Sequence, residues 1–198
     1  MFVVLRARLL PLDIYNNEIP KEGTIIEIGS GHGIIARFLA LSSSKRNVIG
    51  FDPDVERTKI ANQVSVKENN IDFIAEYYNN NSSGPADAAI VVGVFCLMKD
   101  ADVTSVLNML NKSFSKNSLL YISDIAAYEK FDIIHLFHIS RERFLGNIGF
   151  TKGDGLHLRT HDEWIKILKN SGFKVKYVKK APVFLHRTYD IVCEKIIV

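Results

Sequence analysis

The stretch that most constrains the fold of this chain is residues 23–54, GTIIEIGSGHGIIARFLALSSSKRNVIGFDPD. A short apolar run ends there in three glycines, Gly29, Gly31 and Gly33, and a second apolar run ends in Asp52. Between the two runs, apolar residues recur at helical spacing. Short apolar runs bounded by turn formers are typical of parallel strands that are covered on both faces. The stretch therefore predicts a β-strand, a glycine turn, a helix and a second strand parallel to the first.

The same alternation of strand and helix continues along the chain. Strands are predicted near 24–29, 47–52, 71–75, 87–94 and 118–123, with a final strand pair near 173–179 and 189–197. Helices are predicted near 33–42, 54–67, 101–115 and 160–170, the last with Thr160 as N-cap and Glu163 completing a capping box. Strands joined by crossover helices predict an α/β fold with a doubly wound sheet. A chain of 198 residues suits one domain, spanning 1–198.

The composition is that of an ordinary globular protein, with 47% apolar and 24% charged residues and a net charge of +3. So slight a charge does not call for a nucleic-acid partner. Cys96 and Cys193 lie in apolar runs and form no disulfide framework, which favours a reducing cytoplasm. No apolar stretch reaches the roughly 18 residues that span a bilayer. Residues 1–13 are expected to pack over the domain as a helix, and a helix lying on a membrane surface is the alternative. The Lys-rich stretch 174–180 is predicted to be a solvated strand edge.

The glycines and Asp52 together predict the kind of ligand that the chain binds. A dinucleotide fingerprint has a third small residue where this chain has Ile34, which disfavours a dehydrogenase. A phosphate loop needs a Lys-Ser or Lys-Thr pair, and none follows the glycines. A carboxylate at the end of the second strand can accept both hydroxyls of a ribose. The sequence therefore predicts an adenosine-like ligand without phosphates at the carboxyl edge of the sheet.

The stretch IIEIGSGHG resembles motif I (E/D-x-G-x-G-x-G) of the class I S-adenosylmethionine-dependent methyltransferases, and VIGFDPD resembles their second motif. The resemblance continues, in the family's order, through ADAAIVVGVFCLM, SLLYISDI and RTHDEWIKILKNSGFKVKYV. It implies a Rossmann-like sheet of seven mostly parallel strands in the order 3-2-1-4-5-7-6, with an antiparallel last strand and helices on both faces. It also implies S-adenosylmethionine as methyl donor and S-adenosylhomocysteine as product.

The resemblance assigns cofactor-binding roles to particular residues of this chain. These residues are Glu27, Gly29, Ser30, Gly31, Asp52, Pro53, Glu76 and Gly93. In this assignment the backbone of residues 29–31 runs beside the methionine part, and Glu27 supports that loop or the amino group. Asp52 accepts the ribose hydroxyls, while Pro53 and Glu76 adjoin the adenine. No metal is expected, since His135 and His138 lack further ligands nearby.

Methyl transfer from a sulfonium is an in-line displacement that depends mainly on alignment and on exclusion of water. A general base is needed only if the acceptor must lose a proton. His157 and then Tyr128 are the candidates for that base, and the segment 125–159 is expected to cover the substrate. At the fourth strand, where the family often has Asp, Asn or His, this chain has the apolar run Gly93–Cys96.

These features favour a small-molecule or lipid-like acceptor, with a lean toward a hydrophobic one. Methylation of nucleic-acid amino groups usually requires a D/N-P-P-Y/F stretch after the fourth strand, which VGVFCLM does not provide. Carbon-5 methylation requires a thiolate, and Cys96 in its apolar surroundings is expected to be a buried filler. An RNA methyltransferase is therefore less favoured and is kept as an alternative. A cofactor-binding module without turnover is a second alternative.

Overall fold

The computed structural model describes residues 10–79, 81, 84–127, 136, 140, 155–183 and 186–196, with only the backbone at 181–183 and 186–187. The strands are β1 (Gly23–Ile28), β2 (Arg46–Phe51), β3 (Ile71–Ile74), β4 (Ala86–Val92), β5 (Phe114–Ile125), β6 (Phe173–Val183) and β7 (His186–Lys195). The helices are α1 (Leu12–Glu18), α2 (Ile34–Ser42), α3 (Val55–Val64), α4 (Asp100–Ser113) and α5 (His161–Asn170), and Phe95–Leu97 forms a 3-10 turn.

All seven strands form one sheet in the order β3-β2-β1-β4-β5-β7-β6. The five strands β1 to β5 pair in parallel, and β7 runs antiparallel to both β5 and β6. The predicted class, strand order and antiparallel last strand are confirmed. Because β1 and β4 are neighbours although two strands separate them in sequence, their carboxyl ends form the switch point where ligands bind in open α/β sheets.

Helices cover both faces of the sheet, as predicted. On one face, α1 to α3 contribute Tyr15, Leu39 and Ala61 to a cluster of buried apolar residues. On the other, α4 and α5 contribute Leu107 and Trp164 to a second and larger cluster. Side chains alternate between the two faces along each strand, so the apolar strands fill both clusters at once.

The boundaries differ from the predicted ones chiefly around β5. Helix α4 ends at Ser113 and β5 begins at once at Phe114, which is buried and pairs with Ala86. The pairing of β4 with β5 is then interrupted, and Asn117 adopts a φ of 66°. Asparagine tolerates the left-handed region better than other residues with a Cβ. The irregularity lengthens β5 to Phe114–Ile125, where the sequence predicted 118–123.

Other local predictions are confirmed by the structure. Thr160 caps α5, its Oγ1 accepting the N–H of Glu163 at 3.3 Å, while Glu163 Oε2 accepts the N–H of Thr160 at 2.8 Å. The Lys-rich stretch lies on β6, the edge strand, with Lys174 and Lys176 exposed. At the amino end, Tyr15 of α1 is buried edge-on against Tyr121, whereas residues 1–9 lie outside the described part of the chain.

No helix in the described part of the chain combines the length and the apolar character needed to cross a membrane.

Candidate functional site

The glycine loop lies at the carboxyl end of β1 and is held against the end of β2. The N–H groups of Gly29 and Ser30 donate to the carbonyl of Phe51 at 2.7 and 3.0 Å, and Gly33 N–H donates to Ser30 O at 2.8 Å. Gly29, Gly31 and Gly33 have φ values of 74°, 53° and 75°. Because side chains with a Cβ rarely adopt this left-handed region, the tight bend depends on glycine.

The three glycines serve different purposes. A Cβ at Gly29 would lie 2.2 Å from Val94 Cγ2, and one at Gly33 would lie 2.4 Å from Phe73 Cζ. A Cβ at Gly31 would meet nothing nearer than Asp52 Oδ2, at 4.0 Å. Gly29 and Gly33 are therefore needed for packing. Gly31 alone of the three borders open space that a ligand can occupy.

Glu27 lies on β1 just before the loop and is only 3% exposed. Its Oε2 accepts the N–H of Ala36, in the first turn of α2, at 2.8 Å. A carboxylate near a helix N-terminus satisfies a backbone donor and interacts favourably with the helix dipole. Glu27 thus fixes α2 relative to the loop, which is one of the two roles considered for it.

Asp52, at the end of β2, connects the loop to the next helix. Its Oδ2 accepts the N–H of Gly31 at 2.8 Å, its Oδ1 accepts the N–H of Asp54 at 2.8 Å, and the residue is 8% exposed. Each carboxylate oxygen has more than one lone pair. The carboxylate therefore keeps acceptor capacity for two hydroxyls beside the open space at Gly31.

The other predicted cofactor residues surround this edge less closely. Pro53 and Glu76 are exposed, directly after β2 and shortly after β3. Gly93 follows β4 with a φ of 65°, its N–H donates to Ser123 O at 2.8 Å, and a Cβ there would find nothing within 4 Å. Gly93 thus borders open space at the end of β4, as Gly31 does at the end of β1.

A buried arginine that sequence reasoning missed organises the neighbouring end of the sheet. Arg159 Nη1 donates to the carbonyls of Phe95 and His157 at 2.8 and 3.1 Å, and Nη2 donates to the carbonyl of Met98 at 2.7 Å. Its Nε donates to Asp100 Oδ1 at 2.8 Å. Arg159 thereby joins the turn after β4, the start of α4 and the segment before α5. We call this arrangement the Arg159 clamp.

The clamp also fixes the predicted base His157. Its backbone N–H donates to the carbonyl of Cys96 at 2.6 Å, while its own carbonyl accepts from Arg159. The residue is half-buried. Tyr128, and with it His135, His138 and most of the expected cover segment, lies outside the described residues. The described part of the chain contains no group of three or more His, Cys, Asp or Glu side chains placed to hold a metal ion.

Asp124, near the end of β5, is the second functional candidate that sequence reasoning missed. It is 1% exposed, and its Oδ1 accepts the N–H of Ile125 at 3.0 Å. Burial raises the pKa of this carboxyl to about 6, although hydrogen bonding from Cys96 and Ile125 and the charge of Arg159 act in the opposite direction. The sequence signal for Asp124 is an acid in SDI, at the end of an apolar strand that is predicted to be covered on both faces.

The strand order and the helices on both faces define a Rossmann-like α/β protein. The sequence matches the family model described as a methyltransferase domain over residues 4–178, and the chain belongs to that family. No curated protein matches the sequence.

Solved structures share the fold at low sequence identity. Mitomycin 7-O-methyltransferase MmcR is 16% identical with a TM-score of 0.74, over 94% of this chain and 53% of that one. Magnesium protoporphyrin IX methyltransferase from Synechocystis PCC 6803, with bound S-adenosylhomocysteine, is 15% identical with a TM-score of 0.67, over 96% and 83%. An O-methyltransferase family 2 protein from Planctomyces limnophilus, in complex with apigenin, is 15% identical with a TM-score of 0.72, over 98% and 60%. The chain thus spans about half to three-fifths of the length of two of these three proteins.

Proposed function

We propose that this chain transfers the methyl group of S-adenosylmethionine to a small-molecule acceptor. The observation that carries the proposal is the contact between Gly31 and Asp52. The N–H of Gly31 donates to Asp52 Oδ2 at 2.8 Å, and Gly31 borders open space. The carboxylate of Asp52 can still accept further hydrogen bonds there. A ribose offers two hydroxyl donors to such a carboxylate. A pyrophosphate in the same place would face a negative charge.

Each residue of this edge has a place in the proposal. The backbone of residues 29–31 would lie along the methionine part, and Asp52 would accept the ribose hydroxyls. Pro53 and Glu76, exposed beyond the ends of β2 and β3, would adjoin the adenine. Glu27 would act indirectly, by fixing α2 against the loop. Gly93 would leave room for the ligand at the end of β4.

The neighbouring apolar turn suits the chemistry. The donor is already activated, so the protein must align acceptor, methyl and sulfur and keep water away. Phe95 and Cys96 are buried directly after β4, and Val94 covers Gly29. The similar structures include a mitomycin methyltransferase, a magnesium protoporphyrin methyltransferase and a complex with apigenin, which supports a small-molecule acceptor.

Calorimetry with S-adenosylhomocysteine, S-adenosylmethionine and NAD tests the cofactor. We expect both adenosyl compounds to bind and NAD not to bind. Asp52→Ala should weaken binding by about 1–3 kcal/mol, because charge-assisted hydrogen bonds to the ribose are lost. Asp54→Ala is the matched control, since that side chain caps α3 by accepting the N–H groups of Glu56 and Arg57. Binding of NAD, or an Asp52→Ala variant with unchanged affinity, would contradict the proposal.

The acceptor is tested separately, with methyl-labelled S-adenosylmethionine. Hydroxylated aromatic compounds form one set of acceptors, and bulk RNA forms another. Labelling of a small molecule supports the proposal, and labelling of RNA alone would favour the nucleic-acid alternative. Binding of the cofactor without any labelling would favour a module that has lost turnover.

A further inference from the structure

The position of Asp124 relative to the glycine loop follows from the register of the sheet. Ile28 of β1 pairs with Val91 of β4, and Val92 pairs with Ser123 of β5. Asp124 therefore lies level with the first residues beyond β1 and β4. Strand spacing of about 4.8 Å puts the lines of β1 and β5 about 10 Å apart, with β4 between them. Asp124 is thus at the edge where the proposed cofactor binds, two strands from its loop.

Its surroundings leave one carboxylate oxygen without a partner. Among the residues that the structure describes, Oδ2 of Asp124 is fully buried and has no partner at hydrogen-bond geometry, although Cys96 acts on the carboxyl as a whole. A buried polar group without a partner costs about 1–3 kcal/mol, and more when it is charged. Such groups are few in native proteins, and each calls for an explanation. An acceptor molecule that donates a hydrogen bond to Oδ2 would supply the missing partner.

The local charges keep this oxygen available. Among the described residues, Arg159 is the cation that acts on Asp124, and its N–H groups donate to three carbonyls and to Asp100. Asp100 is 71% exposed at its side chain, so it stabilises the arginine from the solvent side. With both acids ionised, the three groups carry a net charge of −1 beside the ends of β4 and β5.

We propose that Asp124 is the proton acceptor of the methyl transfer, with Oδ2 facing the point where the methyl group passes to the acceptor. This inference rests on the proposed function, and it names Asp124 in place of His157 and Tyr128. Arg159 is a positioning residue, since it fixes the turn that packs against Asp124 and does not itself reach the ligand.

The step balances as a displacement with proton transfer. The acceptor's hydroxyl oxygen forms a bond to the methyl carbon, and the carbon–sulfur bond breaks with its electron pair left on sulfur. The hydroxyl proton moves to Oδ2 of Asp124 and later to solvent. The sulfonium charge is neutralised and the carboxylate is protonated, so the net charge is unchanged.

The placement can be tested without knowing the acceptor. Sinefungin is an analogue in which a carbon bearing an ammonium group replaces the sulfur and its methyl, whereas S-adenosylhomocysteine is neutral at that point. If Oδ2 faces the transferred methyl, Asp124→Asn should weaken sinefungin about tenfold or more at pH 7.5 and leave S-adenosylhomocysteine unchanged. Calorimetry measures both affinities, and thermal unfolding confirms that the variant is folded.

Asp190→Asn is the matched control. Asp190 is a buried acid of β7 whose Oδ1 accepts the hydroxyl of Ser123 at 2.7 Å, on the opposite face of the same strand pair. It should leave the ratio of the two affinities unchanged.

A second arm uses the wild-type chain at pH 5 and pH 7.5. In the part of the chain that the structure describes, the groups beside Asp124 are Cys96 and Arg159, and Tyr189 of β7 pairs with it. Protonation of Asp124 at pH 5 should remove the preference for sinefungin in the wild type, and Asp124→Asn should show no such change. His157, whose backbone is bonded to Cys96, could also titrate in this range. The variant His157→Gln separates its effect from that of Asp124, and it should lose the preference for sinefungin at pH 5 as the wild type does.

The outcomes separate the two proposals. If the wild type binds neither nucleoside, the proposed function fails, and the role of Asp124 fails with it. If the wild type binds both and Asp124→Asn changes them equally or not at all, the role of Asp124 alone is overturned. It is also overturned if Asp190→Asn lowers the ratio as much, because the effect would then be a general one of buried charge.

Discussion

The glycine loop gives the sharpest prediction, since Gly31→Ala and Gly33→Ala add the same atom at positions two residues apart and should have different consequences. Both positions have a left-handed φ, of 53° and 75°. That strain costs about 1–2 kcal/mol for a residue with a Cβ. At Gly33 the new Cβ would also lie 2.4 Å from Phe73 and 3.0 Å from Ala61. Overpacking of this kind costs a further ~1–3 kcal/mol.

We therefore expect Gly33→Ala to lower the free energy of unfolding by about 2–5 kcal/mol and Gly31→Ala to lower it by about 1–2 kcal/mol. Affinity should follow the opposite order. The methyl group at Gly31 enters the space assigned to the cofactor, so S-adenosylhomocysteine should bind at least tenfold more weakly. Gly33→Ala should retain most of its affinity under conditions in which it is folded.

Urea denaturation measures the first quantity and calorimetry the second. Gly84→Ala is the control for strain alone, because Gly84 has a φ of 66° and a Cβ there would have nothing within 4 Å. Its stability should match that of Gly31→Ala, and its affinity should match that of the wild type. If Gly31→Ala binds normally, the open space at Gly31 does not hold the cofactor.

Two further predictions concern the Arg159 clamp and Asp124. Arg159→Met should cost about 3–5 kcal/mol in urea denaturation because it leaves buried partners unpaired, whereas Asp100→Asn, on the exposed side of the pair, should cost at most about 1 kcal/mol. The folded Asp124 carboxyl has a pKa of about 6, above its ordinary value of 3.8, so the native state binds more protons than the unfolded state between these values. Stability should therefore fall as pH rises from about 4 to 6, and Asp124→Asn should remove the part of that fall that is due to Asp124, a gain of up to about 3 kcal/mol at pH 7.5. The part due to Asp190, whose pKa burial also raises, should remain. A wild type whose stability is flat across this window would contradict the assigned environment.

How much of the site could be predicted depends on how far apart its parts lie in sequence. Gly31 and Asp52 belong to one βαβ unit, so spacing alone predicted that both lie at the carboxyl edge of the sheet, and the structure adds the hydrogen bond between them. Arg159 reaches Phe95 across 64 residues. The local sequence does not predict such a contact, because a buried arginine just before a helix N-cap has the same neighbours in sequence as an exposed one.

The glycines show a smaller discrepancy of the same kind. In the dinucleotide fingerprint the third small residue falls at Ile34, and the large side chain there is interpreted as a departure from that pattern. In the structure, α2 begins at Ile34 and Gly33 makes the close approach to Phe73. The partner comes from β3, which the local pattern could not include. A pattern of glycines specifies where a chain can bend, and the neighbouring strands decide which bend is used for packing.

The two halves of the edge also differ in what builds them. At the ends of β1 and β2, backbone N–H groups and glycine conformations form the contacts, with Glu27 and Asp52 accepting from the backbone. At the ends of β4 and β5, the contacts depend on the side chains of Arg159 and Asp124. Backbone geometry survives extensive substitution provided the apolar pattern is kept, which accounts for a TM-score of 0.74 at 16% identity to MmcR. A shared backbone therefore does not carry over the side-chain contacts at the ends of β4 and β5, and the role proposed for Asp124 must be tested on this chain.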